Sequence, residues 1–270
     1  MSEEISKLFL LSGEPYQINK NVYINHPKVL DIIGLGGSEC DNLYWGYVNV
    51  LVSDPYSNMV LLDDMGRDWQ KTSPFELFCI RWLALMQVYE VTKDKCDGAN
   101  VHPLNQIIDA LNFFFGKRQY CLKVYPDANN EFRIEAFDDP NFSINDVEFS
   151  RVSEFVKAIN CFDFSDHINP QSEFAKQELI KDERSRLKRL ARSKKPIKQP
   201  QVLGELQTAL VFGGNGGVTP FNVTALPIYA LYKGAQTVYS KDTYNQVMGG
   251  VYAGTLKFSD IDAKILNWAK

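Results

Sequence analysis

Residues 181–198 constrain the fold most, because they carry nine lysines and arginines and only two acids. This local charge of +7 leaves −11 on the remainder of a chain whose net charge is −4. Such a stretch cannot form a hydrophobic core, and Pro196 and Pro200 stop a helix that enters it. The sequence therefore predicts a charged helix and linker over residues 166–201, between an N-terminal domain (1–165) and a C-terminal domain (202–270).

The N-terminal domain is predicted to mix helices and strands. Its clearest signal is Ser73-Pro74-Phe75-Glu76, a capping box with proline at the first helical position. Apolar residues then recur at steps of three and four as far as Tyr89, which predicts an amphipathic helix. Strands are expected at Leu8–Leu11 and 22–24, and a β-hairpin at 119–137. Further helices are expected at 27–35, 41–52, 103–115 and 145–160. The helix at 103–115 should pack on the helix that begins at Ser73.

The C-terminal domain is predicted to hold three or four short helices, with breaks at Gly213–Gly217 and at Gly249-Gly250. The expected fold class is therefore α+β and predominantly helical, with short strands and a β-hairpin in the N-terminal domain, then a basic helix and linker, then a small helical C-terminal domain.

Three features that the sequence lacks lead us to expect a cytoplasmic protein. No stretch approaches the roughly 20 apolar residues that a bilayer span needs. The acidic start lacks the basic and then apolar pattern of a secretory signal. Five cysteines, spaced 17 to 40 residues apart, form neither a disulfide framework nor a CxxC metal site, so we expect them to be reduced.

Signatures of catalysis are missing from the sequence. The three histidines each lie shortly before a proline at an expected helix start, which favours ordinary pre-helix residues. The glycines at 34–37 and 213–217 lack the remainder of a dinucleotide or phosphate-binding motif. We therefore expect a non-enzymatic protein with no cofactor and no metal site. One alternative stays open: an enzyme whose active-site residues come together only in the folded structure. Such a site would need a cavity lined by two histidines or by converging carboxylates.

Aromatic side chains are the remaining candidates for function. Phe113, Phe114 and Phe115 are not expected to face inward together on one helix, and the C-terminal domain is too small to bury all its tyrosines. Exposed aromatics often mark protein contacts, although burial between two domains explains them equally well. The partner-binding candidates are Trp82, Phe114, Tyr229, Tyr232 and Trp268.

The basic segment 181–198 has two interpretations. Its cations could contact nucleic-acid phosphates, with binding that weakens as salt rises. However, no aromatic residue between Phe174 and Phe212 could stack on a base, and the acidic remainder of the chain would repel a polyanion. We therefore favour the second interpretation, an exposed helix and linker. Its positive charges would either keep it extended by repelling one another or dock it on the acidic domain of the same chain.

Four stretches of the chain, in order, carry a family resemblance. They are Leu11–Ile18 with Val22–Pro27, Asp68-Trp69 with Ser73–Phe78, the step from Asn169-Pro170 into the basic helix, and Ile228–Tyr232 with Tyr244, Ala253-Gly254 and Asn267-Trp268. Together they resemble the tail assembly chaperones of long-tailed phages of Gram-positive bacteria and related tail-module proteins. The chain departs from that pattern at Pro227 and at the Gly213–Gly217 insertion.

The resemblance implies a chaperone of virion morphogenesis in the host cytoplasm. Its partner would be the phage tape-measure protein, a long helical chain whose apolar seams aggregate until the tail tube encloses them. The tail tube protein is a second implied partner, and no catalytic residue, membrane or nucleic acid is implied. Two alternatives stay open: a structural tail or connector component, and a nucleic-acid-associated protein that acts through residues 181–198.

Overall fold

The computed structural model describes residues 5–36, 39–92, 103–126, 131–162, 167–192, 203–213 and 217–267. The chain divides into two compact units. The larger unit comprises Glu14–His26 and Asn42–Gln199, and the smaller unit comprises Met1–Gly13, Pro27–Asp41 and Pro200–Lys270.

Helices dominate the described chain, and two small antiparallel sheets accompany them, which confirms the predicted fold class. In chain order the elements are α1 (Lys7–Ser12), β1 (Tyr16–Gln17), β2 (Tyr23–Ile24), α2 (Val29–Ile33), α3 (Cys40–Val52), α4 (Met59–Asp64), α5 (Pro74–Thr92), α6 (Pro103–Phe115), β3 (Tyr120–Tyr125), β4 (Glu131–Ala136), β5 (Asp139–Ile144), α7 (Asp146–Ile159), α8 (Glu173–Arg192), α9 (Leu203–Gly213), α10 (Ile228–Tyr252) and α11 (Ala263–Leu266).

The predicted helix starts and stops of the larger unit are confirmed by their hydrogen bonds. At the start of α5 the Ser73 hydroxyl accepts from the Glu76 amide at 3.0 Å, which is one half of the predicted capping box, whereas the Glu76 carboxylate pairs with Arg67. Asn145 and Glu148 form the reciprocal capping box of α7, with bonds of 3.0 and 2.9 Å. Gly116 follows α6 with a φ of +88°, as expected for a residue just beyond a helix.

Aromatic rings fill the core of the larger unit. α5 packs against both α6 and α7, as predicted for the first pair. Phe149 of α7 lies 4.8 Å from the ring of Phe78 on α5, and Trp82 lies 5.7 Å from Phe78 on its other side. The Tyr44 hydroxyl of α3 donates to Asn160 at 2.8 Å across this core, so a buried polar group fixes how α3 meets the end of α7.

The three-stranded sheet of the larger unit has the order β3-β4-β5. The predicted hairpin is confirmed by the pairing of Leu122 with Ile134, and its turn at 127–130 lies outside the described residues. β5 was not expected from the sequence, because Asp138-Asp139-Pro140 is typical of a turn. Its pairing depends on Ile144 lying opposite Ile134 in β4, and both side chains are buried.

The prediction of a strand at Leu8–Leu11 is wrong, because these residues lie in helix α1. A run of four apolar residues has no period that distinguishes a strand from a helix. Gly13, with a φ of +72°, ends α1 as a left-handed cap, where the sequence suggested a turn between strands.

The smaller unit packs its helices around α10. Leu210 of α9 rests on α10 at Gly234, where an added Cβ would lie 2.9 Å from Leu210 Cδ1. α1 and α11 also contact α10. The predicted break at Gly249-Gly250 is wrong, since both glycines lie within α10, a helix of 25 residues. α9 ends at Gly213, and residues 214–216 of the predicted glycine-rich break lie outside the described residues.

The division into units differs from the predicted domains at both ends of the chain. α8, predicted to separate two domains, belongs to the larger unit, and the predicted linker at 193–201 lies outside the described residues. Segments 1–13 and 27–41, predicted to be N-terminal, join residues 200–270. The reason is long-range backbone pairing: Ile228 donates to Pro27 and Val29 donates to Leu226, each at 3.0 Å.

Candidate functional site

The aromatic residues proposed as exposed partner contacts are core residues where the structure describes them. Trp82, Phe114, Tyr229 and Tyr232 are each at most 5% exposed, so burial, the alternative to exposed partner contacts, is what is observed for these four side chains. Phe113, Phe114 and Phe115 all contact other rings, because α3 and the sheet cover different sides of α6. Trp268 lies outside the described residues.

Other aromatic side chains of the smaller unit do lie at the surface. Tyr239 and Tyr252 of α10 are 76% and 83% exposed, which confirms that the C-terminal helices cannot bury all their tyrosines. Phe212 of α9 and Phe221 are also exposed. These rings are separated along the chain and alternate with polar residues, so they do not define a site by themselves.

The last turns of α5 form a more concentrated apolar surface. Leu83, Met86 and Val91 are exposed on different faces of this helix, and Val91 is 74% exposed. We call these three residues the apolar end of α5. The apolar period predicted as far as Tyr89 is buried only in part: its last members, Met86 and Tyr89, are exposed, because the packed part of α5 ends near Trp82 and Leu85. Gln87 and Glu90 interrupt this surface, but exposed apolar side chains that cluster at one helix end mark a candidate protein contact.

Helix α8 carries the described part of the basic segment, and it is docked on the larger unit. Ile180 is buried among Met59, Leu62 and Leu77. Beside it, the buried Lys176 pairs with Asp68 at 2.5 Å, and this hydrogen bond lowers the pKa of the Asp68 carboxyl. The alternative of a basic helix that rests on its own acidic domain is the one observed.

Several cations of α8 are neutralised by neighbouring acids. Arg184 contacts both Asp63 and Asp64 of α4 at 2.7 and 2.5 Å. Lys181 and Arg186 pair with Glu178 and Glu183 of their own helix. In the part of the basic segment that the structure describes, this leaves three cations that have no carboxylate partner: Lys188, Arg189 and Arg192.

The two described histidines, His26 and His167, have different neighbours. His26 is buried against the edge of Phe155, its two ring nitrogens have no hydrogen-bond partner among the described residues, and burial lowers its pKa to about 4. His167 stacks on Tyr56 at 4.0 Å and lies 3.8 Å from Asp54. His102 lies outside the described residues.

The enzyme alternative required a cavity lined by two histidines or by converging carboxylates, and one described cavity of about 360 Å³ is lined by the carboxylates of Glu76, Glu131 and Asp146. Each of these is already bonded: Glu76 pairs with Arg67, Glu131 pairs with Arg133, and Asp146 accepts from the Ser73 hydroxyl.

A cleft lined by α3, α5, the start of α6 and the turn before α4 surrounds Arg81. An apolar cavity of about 370 Å³ lies on one side, and a polar cavity of about 300 Å³ lies on the other. Arg81 and Asn49 line both cavities. The Arg81 guanidinium donates to the Asn58 side chain at 2.7 Å and to the Asn49 carbonyl at 3.4 Å, and burial lowers its pKa. We call this region the Arg81 cleft.

The sequence did not identify the Arg81 cleft as a site. Asn49 lies in α3, Asn58 in the turn before α4 and Arg81 in α5, and no local spacing brings them together. One signal was present: Arg81 is a single cation inside the apolar run Cys79–Leu85, and cations in such runs are rarely buried without a reason.

Two further properties concern the residues that the structure describes. They contain no group of three or more histidine, cysteine, aspartate or glutamate side chains placed to hold a metal ion. None of their helices combines the length and the apolar character that crossing a membrane requires. Comparison of the chain with protein-family models, with curated proteins and with solved structures finds no match in any of the three.

Proposed function

We propose that the protein is a non-enzymatic tail assembly chaperone of a long-tailed phage, which binds the tape-measure protein and keeps it soluble during tail morphogenesis. The observation that supports this proposal is the apolar end of α5. Leu83, Met86 and Val91 offer apolar surface on several sides of a helix whose first turns are anchored in the core by Phe75 and Phe78. A rigidly held apolar helix end matches an apolar seam on a partner helix.

The size of this surface suits reversible binding. Apolar surface contributes roughly 25 cal/mol per Å² when it is covered, and part of that gain is offset by the entropy lost on association. A few side chains of this kind give modest affinity, so tail tube subunits could displace the chaperone when the tube forms.

The charge distribution supports a protein partner over a nucleic acid. Lys176 and Arg184 of α8 are already paired with the acids Asp68, Asp63 and Asp64. A nucleic acid at α8 would have to compete with these acids for the same cations. A titration with single- and double-stranded DNA and RNA near 50 mM salt tests this alternative, and tight, salt-sensitive binding there would favour it.

The test of the proposal is co-expression with the cognate tape-measure protein. We expect the wild-type chain to raise the soluble fraction of the tape-measure protein and to co-purify with it. The variant Leu83→Glu/Met86→Glu should lose co-purification by about tenfold or more, because two charges would be desolvated at the contact. Val147→Glu is the matched control, since Val147 is 70% exposed on α7.

Two outcomes would contradict the proposal. One is a tape-measure protein that stays insoluble and uncomplexed beside the wild-type chain. The other is equal co-purification by the double variant and the control. Mass spectrometry of purified virions separates a chaperone from a structural tail or connector component, because a chaperone is absent from the finished particle.

A further inference from the structure

The Arg81 cleft places a half-buried cation at the boundary between a polar and an apolar cavity. Arg81 belongs to α5, which also lines the apolar cavity through Phe78, Ala84 and Leu85. The polar cavity is lined by Asn49, Asp54, Ser57 and Asn58. The two cavities share Arg81 and Asn49, and each volume falls within the roughly 300–1,000 Å³ typical of small-molecule sites.

Burial lowers the pKa of Arg81 and the nearby charge of Asp54 opposes this shift, but the two side chains form no ion pair within the described part of the chain. The hydrogen bonds of Arg81 go to the neutral oxygens of Asn58 and Asn49. A guanidinium has five N–H donors, so donors remain after these two bonds. A half-buried cation that lacks a carboxylate partner gains most from an anion brought into the cleft, because the surrounding protein screens the attraction less than water does.

Asp54 is the one carboxylate that lines the polar cavity. Its oxygens accept from the Ser57 amide at 3.0 Å, from the Ser57 hydroxyl at 2.5 Å and from the Tyr56 amide at 3.3 Å. These bonds hold the Asp54 carboxylate in its own turn and disperse its charge. The Arg81 donors therefore stay available to a ligand.

We infer that the Arg81 cleft binds an amphipathic organic anion, whose carboxylate or phosphate contacts Arg81 and Asn49 while its hydrocarbon part fills the cavity beside Phe78 and Leu85. This site is separate from the apolar end of α5, and it does not depend on binding of a tape-measure protein.

The test is isothermal titration calorimetry of the full-length chain with three probes of equal chain length: octanoate, octan-1-ol and octylammonium. We expect octanoate to bind about tenfold more tightly than octan-1-ol, and octylammonium to bind most weakly, because only the carboxylate gains from Arg81. Ala84→Phe should weaken octanoate binding by about tenfold or more, since the new ring occupies the apolar cavity. Ala175→Phe, at an exposed alanine of α8, should bind octanoate like the wild type.

Arg81→Gln tests the charge, and it should bind octanoate and octan-1-ol equally. Because Arg81 also bonds Asn58, this variant could unfold, but Ala84→Phe leaves the guanidinium bonds intact and tests the site independently. The inference is overturned if the wild type binds no octanoate at millimolar concentration, if it prefers octan-1-ol or octylammonium, or if Ala84→Phe binds octanoate as the wild type does.

Discussion

Gly116 ends α6 in a left-handed backbone conformation, with a φ of +88°. A Cβ at this position would meet only Arg118 Nη1, at an ordinary 3.5 Å, so the cost of a side chain lies in the backbone. We expect Gly116→Ala to lower the free energy of unfolding by about 1–2 kcal/mol in chemical denaturation. Gly204→Ala is the control: it lies in α9 with no atom near its added Cβ, and it should be neutral or stabilising by about 0.5 kcal/mol. Equal effects of the two variants would contradict this assignment.

His26 makes stability depend on pH. Its pKa is about 4 in the folded chain, below the ordinary 6.5, because burial disfavours the charged ring. Between pH 6.5 and 4 the unfolded chain binds a proton that the folded chain does not. Stability is therefore complete above pH 6.5 and falls as pH drops towards 4, by about 3 kcal/mol in total. His26→Phe should show a smaller loss over this window in denaturation at several pH values. An unchanged pH profile would show that His26 is not buried as a neutral ring.

Among the helices, α8 is held in place by one apolar residue more than by its charges. Ile180 is 3% exposed within the cluster of Met59, Leu62 and Leu77, whereas Leu187, two turns further on, is 41% exposed. We expect Ile180→Ala to cost about 2–4 kcal/mol in unfolding free energy, and Leu187→Ala to cost below about 1 kcal/mol. If both alanine variants unfold at the same denaturant concentration, α8 is not docked through Ile180.

The elements that sequence could predict are those whose ends are marked by local chemistry. Ser73 with Glu76 marks α5, and Asn145 with Glu148 marks α7, because capping residues act within one turn. β5 could not be predicted, since its partner strand supplies the pairing and Pro140 suggested a turn. The Arg81 cleft escaped prediction for the same physical reason: its residues meet only after α3, α5, α6 and the turn before α4 have packed.

At the scale of the whole molecule, the separation of charge along the chain is partly cancelled in space. The chain carries −11 outside residues 181–198 and +7 within them. In the larger unit, Arg184 lies between Asp63 and Asp64, which brings part of the basic segment onto acids distant in sequence. Exposed ion pairs of this kind contribute at most about 1 kcal/mol each, so they add little to the docking of α8 that the burial of Ile180 provides.

The smaller unit is discontinuous in sequence, and this predicts that the C-terminal residues do not fold alone. The start of α10 is built from distant segments: Pro27 accepts from Ile228 at 3.0 Å, and Gly13 approaches Pro227 so closely that an added Cβ would lie 2.6 Å from its Cγ. A fragment of residues 202–270 lacks these partners. We expect circular dichroism of this fragment to show reduced helix and no cooperative thermal transition. In the full-length chain, Gly13→Ala should lower the melting temperature, because it strains a backbone with a φ of +72° and pushes Pro227 away. A fragment that melts cooperatively, as the full-length chain does, would show that the first 41 residues are dispensable to this unit.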